Sequence, residues 1–204
     1  MSKKLIIVFE GVEGSGKTHH INNVARYLKK KNKNFIKIRE PGGSKNSEKI
    51  RNLILNNKST FNKNTDLLLY LSARSENVDL IKKNLGKKII LIDRFVDSTI
   101  AYQHYGMGVD LKLIKFINMF LLKDIKANFT FLNLVNQKNM KKRLSERKKL
   151  NRYDQFKNIF YKNVQDGFLK IIKKNTKKYM KIDSNFSISE NEKKILNKID
   201  NLIL

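Results

Sequence analysis

The octapeptide Gly11-Val12-Glu13-Gly14-Ser15-Gly16-Lys17-Thr18 constrains this chain more than any other stretch. It follows the apolar run Leu5-Ile6-Ile7-Val8-Phe9 and precedes a segment with helical spacing. G-x-x-x-x-G-K-T between a strand and a helix is a P-loop pattern. Its glycines let the backbone curl until successive N–H groups face a phosphate, and the helix behind adds the positive end of its dipole. Lys17 then suits the outer phosphates and the Thr18 hydroxyl suits Mg²⁺. A plain glycine turn requires neither residue, so Gly11 through Thr18 is read as a nucleotide-binding loop.

Around the loop, short apolar runs alternate with helical stripes. Strands are expected at residues 5–10, 35–38, 88–93, 129–134 and 179–182. Helices are expected at 17–31, around Ile50, Leu53 and Ile54, and at 65–85, 111–122, 156–172 and 189–204. A further helix is expected to begin at 139–146 and run on into the cationic stretch Arg147-Lys148-Lys149-Leu150-Asn151-Arg152. The 65–85 segment is apolar on much of its surface and is therefore expected to be mostly buried. Such alternation predicts an α/β fold: a five-stranded parallel sheet with helices on both faces, the three-layer P-loop NTPase architecture. No repeat, linker or composition break divides residues 1–204, which read as one domain. Ligands of such sheets bind beyond the carboxyl ends of the strands, which puts the P-loop, Arg39, Asp93 and Arg94 along one edge.

With 44 Lys and Arg against 18 Asp and Glu, the net charge is +26 and raises a nucleic-acid reading. The lysines, however, are spread over nearly every polar segment and accompany abundant Asn and Ile and a single Pro, as coding bias would produce. No row of stacking aromatics tracks a basic groove, which argues against nucleic acid as a partner. The absence of cysteine suits a reducing compartment. The first apolar run is too short for a membrane span, so cytoplasmic location and no membrane partner are expected.

Asp93 ends an apolar strand, where a carboxylate can hold Mg²⁺ directly or through water. The next residue is Arg94, not a second acid that would activate water. Its guanidinium suits bidentate clamping of a second phosphate, and a strand-end salt bridge is the plainer alternative. Arg39 ends the second strand beside the chain's one proline, in Glu40-Pro41-Gly42-Gly43, a turn compatible with a cis bond. Tyr70 and Arg74 stand four apart on one helix face. They could stack on a base and bond its edge, or lie in the core and in solvent respectively.

Taken together, these segments resemble the thymidylate kinase family. Residues 9–18 resemble its phosphate loop, and Arg39-Glu40-Pro41-Gly42-Gly43 its second signature. Asp93-Arg94-Phe95 with Ser98-Thr99-Ile100-Ala101-Tyr102-Gln103 resembles the third, and 147–154 the lid. The resemblance implies ATP as donor, dTMP as acceptor, Mg²⁺ as cofactor and a homodimer packed through helices. It implies that Glu13 approaches the 3′-hydroxyl and that Arg39 and Arg94 hold the dTMP phosphate. Tyr70 would stack on thymine, Arg74 would bond its edge, Ser98 would lie with the acceptor, and Thr99 and Gln103 would lie near the base. Tyr102 would close the 2′ side of the sugar. Many members have Tyr where this chain has Phe95, so any role for that hydroxyl is absent here.

In-line phosphoryl transfer to an acceptor that is already anionic needs positioning and charge neutralisation, not a strong base. Lys17, Arg94 and the lid are the cationic sources. Some members of the family it resembles carry a basic residue in the P-loop and others supply it from the lid. With no cation at the variable P-loop positions, this chain resembles the second kind, which implies a catalytic lid arginine, Arg147 ahead of Arg152. Two other classes fit parts of the pattern: a P-loop kinase for another nucleotide, and a basic P-loop NTPase that binds nucleic acid. The paired Arg39 and Arg94 favour a phosphorylated acceptor.

Overall fold

A computed structural model describes residues 4–147, 149–173 and 175–204. Met1, Ser2 and Lys3, and Lys148 of the expected lid, lie outside the described residues. Five strands form one parallel sheet in the order β2-β3-β1-β4-β5. β1 (Ile6–Gly11) is central and buried at every position, with β3 (Ile89–Asp93) on one side and β4 (Phe129–Leu134) on the other. The edges are β2 (Phe35–Arg39) and β5 (Tyr179–Asp183). Burial on both faces explains why β1 reads as a continuous apolar run.

The pleat sends alternate side chains to opposite layers. Ile7 and Phe9 pack with Ile21, Val24 and Leu28 of α1 (Lys17–Lys30) and with Ile195 and Ile199 of α8 (Ile188–Ile203). Ile6 and Val8 pack with Val78 and Ile81 of α3 (Lys63–Asn84) and Leu122 of α5 (Leu111–Leu122). The register levels the strand ends: Phe9 pairs with Asp93, Asp93 with Arg39, and Gly11 with Asn133. The expected edge therefore exists, and Glu40–Pro41 at its corner is cis.

Several elements differ from the expected ones, each for a local reason. α2 (Lys45–Leu55) starts well before its apolar stripe because the Ser44 side chain accepts from the Ser47 amide. α3 is buried less by apolar surface than expected: Leu68 is 54% exposed, whereas Asp66, Arg74 and Asn77 are buried. α6 (Gln137–Ser145) does not continue into the cationic stretch. Asn151 and Asp154 instead form a capping box for a 3₁₀ turn at Arg152–Gln155, ahead of α7 (Asn158–Ile172).

The sequence predicts no helix at residues 96–106, where β-branched and glycine residues lower helix propensity. The structure has α4 (Val96–Thr99) running into a π-helical stretch, Ile100–Gly106. Packing overrides propensity here. Gly167 of α7 lets the Tyr105 ring come so close that a Cβ would lie 2.5 Å from it.

Candidate active site

Gly11 leaves β1 with φ 139°, and a Cβ there would sit 2.3 Å from the Asn133 carbonyl oxygen. Only glycine lets the chain turn this close to β4. The loop then closes on itself: Ser15 donates from its amide and from Oγ to the Val12 carbonyl, at 3.3 and 2.7 Å. Lys17 Nζ donates to the carbonyls of Gly11 and Val12, both at 2.8 Å. Burial, then repulsion from Arg94, lowers the Lys17 ammonium to about 7 against the opposing pull of Asp93, Glu13 and Glu10. Thr18 Oγ1 donates to Asp93 Oδ2 at 3.3 Å, so a hydroxyl and a carboxylate face each other across the loop.

Residues 13–18 line one end of a cleft of about 700 Å³; Gly11 and Val12 do not line it, and their carbonyls hold the Lys17 ammonium. Arg94, at φ 68°, occupies a left-handed conformation that few non-glycine residues adopt. Its guanidinium donates to the Gly11 carbonyl and to Glu13, both at 2.8 Å, and lies 4.9 Å from the Tyr102 ring centroid. Burial alone would raise the Glu13 carboxyl, but Arg94, Lys17 and the Tyr102 hydroxyl hold it below its ordinary value. Glu10 supports this turn from behind. Its carboxylate accepts from the Phe95 and Ser98 amides, at 2.8 and 3.2 Å, and from Ser98 Oγ.

Arg39, Tyr70, Ser98, Tyr102 and Gln103 line the other end of the same cleft. Arg39 is braced by Glu48, at 3.1 and 2.7 Å. Ser98 comes from α4 and Gln103 from the π-helical stretch that continues it. Two expected members are not among the lining residues. Thr99 is buried with Oγ1 lacking a hydrogen-bond partner among the described residues. Arg74 is 2% exposed, and its guanidinium goes to Glu40 (2.7 Å) and Asn118 (2.5 Å) with the Phe95 ring beneath. Neither alternative read for Tyr70 and Arg74 holds in full: the tyrosine meets the cleft and the arginine lies behind it.

The two lid arginines also separate. Arg147 lines the cleft and pairs with Asp154 at 2.7 Å. Arg152, expected as a catalytic candidate, is turned away: it pairs with buried Asp66 and donates to the Ile54 carbonyl at 3.0 Å. The buried carboxylate captures its guanidinium, because a carboxylate there is strongly stabilised by a charged partner.

Among the lining residues that sequence reasoning missed, three are polar or aromatic groups with a clear role in shaping the cleft. Arg51 lines it and donates to the Pro41 carbonyl at 2.6 Å. Arg143 of α6 ties the P-loop to the β5–α8 turn through the carbonyls of Gly14 (2.9 Å) and Ser184 (2.7 Å). Tyr153, 2% exposed, places its ring 5.8 Å from both Tyr70 and Tyr102. Nothing in 44 dispersed cations marks two arginines, and a single Tyr in a polar stretch does not mark Tyr153.

A P-loop at one end of a cleft and a second cationic, aromatic-lined pocket at the other define a P-loop kinase that acts on a nucleotide. The comparisons narrow the class. The sequence model of the family described as thymidylate kinase matches residues 9–195. A thymidylate kinase of Sulfurihydrogenibium sp. is 39% identical over 196 residues, 95% of each chain. One of Thermosipho africanus is 35% identical and covers 95% of this chain and 92% of its own. The solved thymidylate kinase of Ehrlichia chaffeensis superposes with a TM-score of 0.79 at 32% identity, over 97% of this chain and 99% of that one. The chain belongs to the thymidylate kinase family.

Proposed function

We propose that this chain transfers the γ-phosphoryl group of ATP to dTMP, giving dTDP and ADP, within one domain spanning residues 1–204. The observation that carries the reading is the single cleft. Lys17 and Thr18 stand at one end, Tyr70, Tyr102 and Gln103 at the other, and Arg94 between them. In-line transfer needs donor and acceptor phosphates to meet over such a cation.

On this reading the loop amides and Lys17 hold the ATP phosphates. Thr18 Oγ1 and Asp93 supply hard oxygens for Mg²⁺. Among the described residues no group of three or more acids and histidines gathers. That fits an ion held by one or two protein oxygens with phosphates and water completing its shell. An ion held by them would supply charge neutralisation to the transferring phosphate. Arg94 bridges to the acceptor phosphate with Arg39. Glu13 keeps the Arg94 guanidinium in place and meets the 3′ side of the sugar.

Tyr70 stacks on thymine, and Tyr102, locked by its hydroxyl to Glu13, closes the 2′ side. Ser98 and Gln103 complete the pocket, with Thr99 and Arg74 behind its wall. Arg147, the lid arginine that reaches the cleft, neutralises charge in the transition state. Closure of the lid at 147–154 excludes water. A second copy packs on the exposed face of α5, where Phe116, Met119 and Phe120 are 63, 66 and 70% exposed. Apolar exposure on that scale on one helix marks an interface.

Among the described residues no helix is long and apolar enough to cross a membrane, and we place the reaction in the cytoplasm. An ATP- and Mg²⁺-dependent coupled assay over a panel of nucleoside monophosphates tests the reading. The expected order is dTMP, then dUMP, then UMP; comparable turnover of AMP or CMP contradicts it.

A further inference from the structure

The buried carboxylate of Asp66 has no part in the chemistry so far, yet four groups converge on it. Its Oδ1 takes the Arg152 guanidinium and its Oδ2 takes the Tyr153 hydroxyl proton, both in close contact. Oδ2 also accepts from Gln103 Nε2 at 3.1 Å. Tyr70, one helical turn on along α3, lies beside the same carboxylate and edge-on to Tyr153. Asp66 is itself 1% exposed.

Gln103 is where this convergence has a chemical consequence. A side-chain amide offers a donor end and an acceptor end that occupy nearly the same space, so its direction is set by its partners. Here Nε2 donates to Asp66 and, at 3.3 Å, to the Tyr153 oxygen. A carboxylate can only accept. With the Tyr153 proton already given to Asp66, its oxygen accepts from Gln103 as well. Both partners thus reject the flipped amide. Gln103 Oε1 is left buried without a hydrogen-bond partner among the described residues, in a side chain that lines the cleft.

We propose that Asp66 is a positioning residue that fixes the amide of Gln103 with its acceptor toward the base, so the pocket demands a base with a donor there. Thymine and uracil carry N–H at ring position 3; cytosine carries a lone pair at the same place. A fixed acceptor pairs with the first and repels the second. The inference rests on the dTMP reading above. The same carboxylate holds Arg152 and Tyr153, so the end of the lid and the base reader share one anchor.

Replacing Asp66 by Asn keeps the shape and supplies an N–H₂ donor. Gln103 can then turn its Oε1 to the new donor and present Nε2 to the base. The test is kcat/KM for dTMP and for dCMP, with Kd for both by calorimetry, in wild type, Asp66→Asn, Asp66→Glu and Tyr153→Phe. Asp66→Asn is expected to cut the preference for dTMP over dCMP by roughly ten- to a hundredfold, the range of leaving one buried group mispaired. Asp66→Glu keeps an acceptor-only partner and keeps the preference.

Tyr153→Phe, which removes one of the two acceptors and leaves the ring, is expected to shift the ratio by about threefold. It carries the test if Asp66→Asn fails to fold. Arg152→Ala leaves the acceptors of Gln103 in place and is expected to alter KM or kcat for both substrates alike. A merely structural Asp66 would lower both substrates equally, and an unchanged ratio in Asp66→Asn and Tyr153→Phe overturns the proposal. Failure of wild type to phosphorylate dTMP would instead overturn the functional reading, so the two failures are distinct.

Discussion

The phosphate end of the cleft is made of backbone and the base end is made of side chains. At the phosphate end one continuous stretch, residues 11–18, supplies the loop, the cation and the hydroxyl that faces Asp93. Its geometry is set first by bonds within the loop, from Ser15 and Lys17 to the Gly11 and Val12 carbonyls, with Arg94 and Arg143 adding distant ties to Gly11 and Gly14. At the base end, α3, the π-helical stretch and the 3₁₀ turn each contribute one or two side chains. They are backed by buried carboxylates: Asp66, which does not line the cleft and takes Gln103 and Tyr153, and Glu40, which holds Arg74 behind it. A loop built from backbone tolerates substitution around it; a pocket held by buried charges does not, because removing one partner leaves the other unpaired.

The largest effect that sharpens this contrast is expected from Arg147. Arg147→Ala should lower kcat by roughly 10³-fold or more at saturating ATP, the scale of an arginine delivered to phosphoryl transfer. Arg152→Ala should lower kcat less than about tenfold, since its guanidinium is committed to Asp66. Comparable kcat losses in the two variants would erase the distinction between a cleft arginine and an anchoring one. Next in size is Lys17→Ala, expected to cost about 10²–10³ in rate while the protein stays folded. Near-normal kcat with unchanged thermal stability would show that the loop is not the catalytic cradle.

A smaller effect distinguishes the two ends by pH. The Lys17 ammonium is lowered to about 7 in the folded state from its ordinary 10.5, mainly by burial. Between those values the unfolded chain holds the proton and the folded chain has released it, so stability rises with pH across that window. The gain relative to Lys17→Met should approach about 1.4 kcal/mol per pH unit between pH 7 and 10. Urea unfolding of both proteins across that range measures it. A constant difference would mean that the ammonium is not desolvated.

The contrast also explains what the sequence made legible. The P-loop, the five strands and the Asp93-Arg94 corner follow from local spacing, because backbone conformation there is dictated by glycines and apolar runs. Tyr70 was flagged by its spacing from Arg74 with two readings left open, and Tyr102 became legible only through resemblance to a family. Arg74 and Arg152 were recognised as arginines that matter, but their directions were not, since each is turned by a carboxylate distant in sequence: Glu40 for Arg74 and Asp66 for Arg152. Asp66 itself gave no signal, being one acid near a helix start, where acids are ordinary. The helix at 96–106 was hidden because packing against α7, not propensity, forms it.

The central claim is that both ends belong to one continuous reaction path. A molecule joining adenosine and thymidine through five phosphates spans both ends at once, and calorimetry in the presence of Mg²⁺ measures its Kd. Tethering makes the second binding step intramolecular. The account predicts that it binds at least about a hundredfold more tightly than ATP or dTMP alone, and that Lys17→Ala and Arg94→Ala both weaken it. Binding no tighter than ATP would contradict the claim that the two ends form a single cleft.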